Sequence, residues 1–172
     1  KYVVGIDVGS TYTKAIILSR ENEIIGRSLS PTGFKLDQIS KKVYKQVLAE
    51  TELNENDIGY IIASGFGRHR VDFCDLTVTD LTATARGSNL MFPGTMTVLD
   101  IGGQTMKASR LDENLKVKSF RLNDKCAAGT GTFLEKTARY MGYETDEIGP
   151  LVQTSKFQVP ISGVCAVFAE SE

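Results

Sequence analysis

The chain has 172 residues and a nearly balanced charge, with 20 Lys and Arg against 21 Asp and Glu and a formal net charge of −1. This balance excludes a strongly basic nucleic-acid-binding protein, and it equally excludes an acidic tail protein. At 41% hydrophobic and 24% charged residues, the composition is typical of a globular protein with one or two cores. No apolar run approaches the roughly 20 residues of a membrane span, and no signal peptide opens the chain. We therefore expect a soluble, cytoplasmic protein without a membrane partner.

The two ends of the sequence predict that it is a piece of a longer protein. It begins at Lys1 rather than Met, and its last residues, Ala166–Glu172, contain neither a Gly cap nor a Pro. Because helices usually end at such signals, we expect the sequence to stop inside a helix.

The first half of the chain predicts a three-stranded meander followed by alternating helices and strands. Three β-branched runs, Tyr2–Asp7, Thr13–Ser19 and Glu23–Leu29, are separated by short turn sequences, which favours antiparallel pairing. Periodicity and turn signals then predict, in order, a helix over 36–50, a buried strand over 58–64 and a helix over about 79–90.

The pattern restarts in the second half. Three further short strands are predicted over 95–100, 106–111 and 117–122, again joined by turns. Helical stretches follow at about 130–141 and 145–152, and a short extended piece at Phe157–Pro160.

An Asp-x-Gly-x4-Lys spacing occurs once in each half. The six residues are Asp7, Gly9 and Lys14, and Asp100, Gly102 and Lys107. The offset between the copies is constant (100 − 7 = 93 and 107 − 14 = 93). Chance recurrence of a common glycine turn is one interpretation. The repeated strand pattern favours the other, a duplicated domain, with a first copy over 1–93 and a second over 94–172.

Each glycine turn has the chemistry of an anion-binding site. The backbone N–H groups of Gly9-Ser10-Thr11 are unobstructed, and hydroxyls of Ser10, Thr11 and Thr13 add donors. Gly102-Gly103-Gln104-Thr105 offers the same, so two related domains could clamp a polyphosphate. An Asp at the preceding strand end suits a hydrated Mg²⁺ or an attacking water. Plain hairpin turns are the alternative. The motifs of P-loop and dinucleotide-binding proteins are absent.

These turns carry a resemblance to a known superfamily. The sequences Gly5–Thr11 and Asp100–Gln104 resemble the two phosphate motifs of the acetate kinase, sugar kinase, Hsp70 and actin superfamily. The segments Asn123–Gly131 and Cys165–Glu172 resemble a specific branch, the BadF/BadG/BcrA/BcrD-type ATPases. These are the oxygen-sensitive activators of 2-hydroxyacyl-CoA dehydratases in anaerobic metabolism, and the ATPase subunits of benzoyl-CoA reductase. The resemblance covers the whole chain in order, including Ser64–Arg68.

The resemblance implies a fold and an activity. The fold would be a duplicated ribonuclease H-like, actin-like α/β ATPase fold, with the second domain and its adenosine contacts incomplete at Glu172. The activity would be ATP hydrolysis with Mg²⁺, coupled to delivery of low-potential electrons to a CoA-thioester reductase or dehydratase. Reduced ferredoxin or flavodoxin would be the electron donor.

The resemblance also implies site residues. Asp7 and Asp100 would manage Mg²⁺ and water, and Gln104 resembles the family residue that helps position the hydrolytic water. The phosphate contacts would come from Gly9, Ser10, Thr11, Thr13, Lys14, Gly102 and Gly103.

The three cysteines form neither a Cys-x-x-Cys pair nor an even disulfide set. Cys74 is predicted to be a small buried residue, whereas Cys126 and Cys165 are each predicted to open a helix. An iron–sulfur cluster usually takes four thiolates, so two chains would be needed to supply them. By spacing alone, two unligated buried cysteines are an equal alternative. The resemblance implies one [4Fe-4S] cluster bridging the two subunits of a homodimer or pseudo-homodimer.

Two rival functions belong to the same superfamily. They are a sugar or acetate kinase, and a non-catalytic actin-like or chaperone-like nucleotide switch. Neither needs Cys126 or Cys165, and no phosphoryl-acceptor pocket is evident. Within the ATPase branch, Thr132 stands where activators often carry Arg, and Ala83-Thr84 where they tend to carry Cys-His. These departures slightly favour a benzoyl-CoA-reductase-like subunit.

Overall fold

The two halves of the chain fold as separate units. A computed structural model describes residues 1–172, and these divide into Lys1–Pro93 and Gly94–Glu172. The elements of the first unit are β1 (Tyr2–Val8), β2 (Tyr12–Leu18), β3 (Ile24–Pro31), α1 (Leu36–Glu50), β4 (Ile58–Ser64), β5 (Leu76–Thr77) and α2 (Asp80–Met91). None of the helices combines the length and the apolar character of a membrane-spanning segment.

The first unit is built on one five-stranded sheet with the order β3-β2-β1-β4-β5. The β1–β2 and β2–β3 pairs are antiparallel, which confirms the predicted meander. The β1–β4 and β4–β5 pairs are parallel. A parallel neighbour requires a long crossover, and α1 supplies it between β3 and β4. This is the ribonuclease H-like arrangement that the resemblance implies.

One face of this sheet packs against α1. Alternate residues of β1 and β2 point to the same side, and α1 presents apolar residues at helical spacing. The fully buried side chains of this core are those of Val4, Ile6, Val8, Ala15, Ile17, Val43, Val47 and Ala63. Cys74 was predicted to be buried; it is half-buried and packs against the same core, with its Sγ 3.1 Å from the carbonyl oxygen of Val71.

The second unit begins with a three-stranded antiparallel sheet. Its elements are β6 (Thr97–Ile101), β7 (Met106–Leu111), β8 (Val117–Asn123), α3 (Thr130–Tyr140), α4 (Ile148–Gln153) and α5 (Ala166–Ser171). The sheet order is β6-β7-β8 with both pairs antiparallel. The predicted helix over 145–152 starts as a 3₁₀ turn, Thr145–Glu147, which continues into α4. The extended piece Phe157–Pro160 pairs with no strand.

The burial of β2 makes a stability prediction with a matched control. Ile17 is 0% exposed and Ile24 is 41% exposed, and both are isoleucines in adjacent strands. Ile17→Ala should lower the free energy of unfolding by about 2–5 kcal/mol, because it leaves a cavity in the core. Ile24→Ala should cost well under half as much. Urea unfolding of both variants measures the difference, and equal midpoints would contradict the assignment of Ile17 to the core.

Candidate functional site

The first glycine turn joins β1 to β2 in a tight hairpin. The Gly9 amide donates to the Tyr12 carbonyl over 3.1 Å, which closes the turn. Asp7 and Lys14 face each other across the two strands, and Lys14 Nζ lies 2.9 Å from Asp7 Oδ2. Both side chains are about half exposed, so the ion pair adds little stability. The ion pair instead orients the Asp7 carboxylate, because Lys14 binds one of its two oxygens next to the turn.

A hydrogen-bonded threonine pair supports this turn from beneath. The Thr32 hydroxyl donates to the Gly9 carbonyl over 2.7 Å, and it lies 2.9 Å from the Thr13 hydroxyl. Because Thr32 has already used its only hydroxyl hydrogen, Thr13 must be the donor of the second bond. Thr13 is 0% exposed. The structure therefore corrects the expectation that Thr13 donates to a phosphate, since its hydrogen is used in the core.

Unlike the Thr13 hydroxyl, the Thr11 hydroxyl is unpaired. Its Oγ1 is buried and has no hydrogen-bond partner in the chain, whereas the neighbouring Ser10 is exposed. Leaving a buried hydroxyl unpaired costs about 1–3 kcal/mol. Such a group on a glycine turn indicates a polar ligand that completes it.

The second glycine turn repeats the hairpin of the first. The Gly102 amide donates to the Thr105 carbonyl over 2.8 Å, and Asp100 pairs in register with Lys107. The repeated Asp-x-Gly-x4-Lys spacing is therefore the spacing of cross-strand partners around a tight turn. Gln104 lies exposed within this turn, and Asp100 is half buried at the strand end.

The first turn of α3 packs directly against the second glycine turn. Thr132 Oγ1 donates to the Gly103 carbonyl over 2.6 Å, and the Thr132 amide donates to the same oxygen over 3.3 Å. Gly131 lies so close to the Gly102 carbonyl that a β-carbon at this position would collide with it. Any movement of the turn must therefore move the first turn of α3 as well.

Cys126 lies on a turn four residues before α3, which corrects the prediction that it opens the helix. The Asn123 side-chain amide donates to the Cys126 carbonyl over 2.9 Å, and Cys126 itself is exposed. The next residue, Ala127, has φ of 60°, in the left-handed region that only glycine adopts freely. Strained backbone of this kind is concentrated at functional sites. The local geometry presents the Cys126 segment outward.

Cys165 is the N-cap residue of α5 and is half buried. The amino ends of α3 and α5 lie side by side, because a β-carbon at Gly129 would be 3.9 Å from Ala166 Cβ. Further along the same two helices, Lys136 Nζ lies 3.4 Å from Glu170 Oε1, so the helices run in the same direction. Both cysteine-bearing segments are therefore at the same end of the helix pair.

The chain by itself does not complete a metal site. It contains no group of three or more His, Cys, Asp or Glu side chains placed to hold a metal ion. The cysteine pair of the second unit is thus at most half of a four-thiolate set. Cys74 packs against the core of the first unit.

The first unit also contains a groove of about 450 Å³ at the amino end of β4, lined by Tyr44, Glu55, Ile58, Tyr60 and Phe73. Burial, together with the nearby Glu55 carboxylate, raises the pKa of Tyr44. Asp7 lies at the carboxyl end of the parallel neighbour β1, so it is at the opposite end of the sheet from this groove. Because the groove is remote from Asp7, we place the candidate site at the glycine turns.

Comparison with known proteins decides the family. The BadF/BadG/BcrA/BcrD ATPase family matches residues 4–172, which is nearly the whole chain. The chain belongs to this family.

The relatives include characterised dehydratase activators. The 2-hydroxyisocaproyl-CoA dehydratase activator of Clostridioides difficile is 37% identical over 171 residues, covering 99% of this chain and 64% of the relative. Its structure with bound ADPNP matches with a TM-score of 0.86, over 99% of this chain and 63% of that chain. The structure of component A of the (R)-2-hydroxyglutaryl-CoA dehydratase of Acidaminococcus fermentans matches with a TM-score of 0.83 and 36% sequence identity. The match covers 99% of this chain and 65% of that chain. These matches confirm the fold class, and the chain spans less than two thirds of these relatives.

A reductase component is also similar to the chain. This benzoyl-CoA reductase subunit of Thauera aromatica is 34% identical over 178 residues, covering 98% of this chain and 61% of the relative. The activators of Clostridioides difficile and Acidaminococcus fermentans are each 37% identical. The chain is therefore similar to members of both branches of the family.

Sequence reasoning missed two residues that shape the turns. Thr32 hydrogen-bonds to Gly9 although the two residues are 23 positions apart, and no local sequence pattern predicts this bond. In the sequence, Gly131 is only one residue of a longer motif. In the structure, the Gly102 carbonyl can approach this position because Gly131 has no side chain. A glycine in the first turn of a predicted helix, where propensity disfavours it, was the available signal.

The seat of α3 on the second turn makes a testable prediction. Gly131→Ala should weaken ADPNP binding to the full-length protein at least tenfold, because the new methyl group would displace the turn. Gly129→Ala is the matched control, since a β-carbon there meets only Ala166 at 3.9 Å. Calorimetric titration of both variants measures the effect. Equal affinities would mean that the contact does not shape the turn.

Proposed function

We propose that the full protein is an ATPase that couples hydrolysis of Mg²⁺-bound ATP to delivery of low-potential electrons to a CoA-thioester dehydratase or reductase. The observation that carries the proposal is the seat of α3 on the second glycine turn, directly after the Cys126 segment. A phosphate turn and a cysteine segment that share one rigid contact suit a protein in which nucleotide controls a metal centre. The named relatives, which are dehydratase activators and a reductase subunit, support this function rather than a small-molecule kinase.

The nucleotide-binding part of the proposal assigns roles to both turns. The backbone amide of Gly103 and the hydroxyls of Ser10 and Thr11 would bind phosphate oxygens. Gly9 and Gly102, whose amides close the hairpins, would contribute by letting a phosphate approach the backbone closely. The unpartnered buried Thr11 Oγ1 supports this assignment. Lys14 would act through Asp7, whose carboxylate it orients. Asp7 and Asp100 would hold the hydrated Mg²⁺ and orient water, and Gln104 would help position the attacking water.

The cluster part of the proposal uses the two free cysteines of the second unit. Cys126 and Cys165 would supply two thiolates to a [4Fe-4S] cluster, and a second copy or a close homologue would supply the other two. The donor set fits, because both thiols are unpaired, neither is fully buried, and their segments start a parallel helix pair. When bound, such a cluster supplies one-electron transfer at low potential.

A second ATPase subunit would complete the four-thiolate set with its own two cysteines. Ferredoxin or flavodoxin as donor, and the CoA-thioester enzyme as acceptor, complete the proposed set of partners.

Asp100 tests the hydrolytic part of the proposal. In the full-length protein, Asp100→Asn should lower ATP turnover at least tenfold, the lower range for losing a positioned catalytic group, while iron content stays unchanged. Asp146→Asn, at an exposed carboxylate outside both turns, is the control and should leave turnover unchanged. Unchanged hydrolysis in Asp100→Asn would remove this residue from the mechanism.

The cysteines test the cluster. Cys126→Ser and Cys165→Ser should each abolish iron binding, because one substitution removes two of four ligands from a symmetric dimer. Both should also weaken the dimer, since the cluster would cross-link its subunits. Cys74→Ser should retain iron, because Cys74 packs against the core of the first unit. Iron analysis and sedimentation under anaerobic conditions measure both effects. Full iron retention in either of the first two variants would refute the bridging cluster.

A further inference from the structure

A second buried hydroxyl of the first unit has no partner, and the roles assigned so far do not use it. Ser64 is 7% exposed, and its Oγ makes no hydrogen bond within the chain. Most buried polar side-chain atoms are hydrogen-bonded, so an unpaired one requires an explanation. The other such atom is Thr11 Oγ1, which already belongs to the first glycine turn.

Ser64 stands next to Asp7 on the sheet. It is the last residue of β4, and it pairs in register with Asp7 of the parallel strand β1. Side chains alternate between the two faces of a sheet, so paired residues of neighbouring strands leave it on the same face. Neighbouring strands lie about 4.8 Å apart. The Ser64 hydroxyl and the Asp7 carboxylate are thus neighbours on one face, without a hydrogen bond between them.

The loop after Ser64 is clamped onto the end of β1. Gly65 has φ of +87°, and a β-carbon there would lie 2.5 Å from Asp7 Oδ1 and 2.5 Å from the Val8 carbonyl oxygen. The Gly67 amide donates to that Val8 carbonyl over 2.9 Å. Arg68 Nη1 donates to the Gly65 carbonyl over 3.1 Å. These contacts hold the loop, and with it Ser64, in a defined position beside Asp7.

The two oxygens of Asp7 face different neighbours. Lys14 Nζ occupies Oδ2 at 2.9 Å, whereas Oδ1 lies on the side of Gly65. A ligand that approaches Oδ1 therefore comes to the side on which the Ser64 hydroxyl is unpaired. A water molecule of a hydrated Mg²⁺ matches both groups, because its two hydrogens can be donated to the carboxylate and to the hydroxyl oxygen.

We propose that Ser64 is a further binding residue of the magnesium–nucleotide site, where its hydroxyl oxygen accepts a hydrogen bond from a water of the Mg²⁺ shell that Asp7 holds. The inference rests on the proposed function, since it assumes that Asp7 manages Mg²⁺. It adds a residue from β4 to a site that the sequence assigned to the glycine turns alone.

The experiment removes the hydroxyl and measures two properties of the full-length protein. Ser64→Ala should leave the urea midpoint of the nucleotide-free protein unchanged or raise it, because it deletes an unpaired buried polar atom. The same variant should need about tenfold more Mg²⁺ for half-maximal binding of ADPNP. Its affinity for ADPNP without Mg²⁺ should match that of the wild type.

Ser40→Ala provides the control. Ser40 is also buried, at 0% exposure, but its hydroxyl donates to the Asp37 carbonyl over 2.9 Å within α1. This substitution should lower the urea midpoint, because it breaks a satisfied hydrogen bond, and leave the Mg²⁺ requirement unchanged.

Each contrary result has a distinct meaning. A lower urea midpoint in Ser64→Ala would show a structural hydrogen bond and overturn the inference. An unchanged Mg²⁺ requirement, or an equal loss of affinity without Mg²⁺, would overturn it while the proposed function stands. A wild-type protein that binds no ADPNP would overturn the inference and the proposed function together.

Discussion

The second unit depends on a close approach of two backbone segments, the carbonyl of Gly102 and the first turn of α3. The approach is possible because position 131 carries no side chain, and the hydroxyl and amide of Thr132 both bind the neighbouring Gly103 carbonyl. Protein interiors are close-packed, so segments in such contact move together. The Cys126 turn precedes this part of α3, so the second glycine turn and the cysteine segment are connected through one contact.

The two glycine turns are alike in geometry but are supported differently. In each, a glycine amide closes a hairpin and an Asp stands opposite a Lys. In each, a threonine hydroxyl donates to a turn carbonyl, from Thr32 in the first unit and from Thr132 in the second. Thr32 follows β3, whereas Thr132 belongs to α3. The second turn is therefore the one whose support lies on the helix that follows Cys126.

Local patterns predicted the regular elements well. The helix over 36–50 and the strands over 58–64 and 106–111 have the bounds that periodicity and turn residues indicated. These segments have strong apolar spacing and clear turn signals at their ends. The predicted start of α3 at Thr130 is confirmed, but the prediction that Cys126 opens this helix was wrong, because hydrogen bonds of Asn123 and Thr130 fold residues 126–129 into a turn first. Such side-chain bonds compete with helix formation and leave little trace in periodicity.

Short-range spacing was enough to specify the repeated hairpins, the Asp and Lys positions beside them and the two cysteines outside the first core. A tight turn and antiparallel pairing make residues seven positions apart face each other, so these features can be read along the chain. Which hydroxyls are available to a ligand was settled instead by the folded arrangement. Thr13 is satisfied by Thr32, while Thr11 and Ser64 are left unpaired. That distinction depends on contacts between residues far apart in the chain, and the chemical type of a residue does not reveal it.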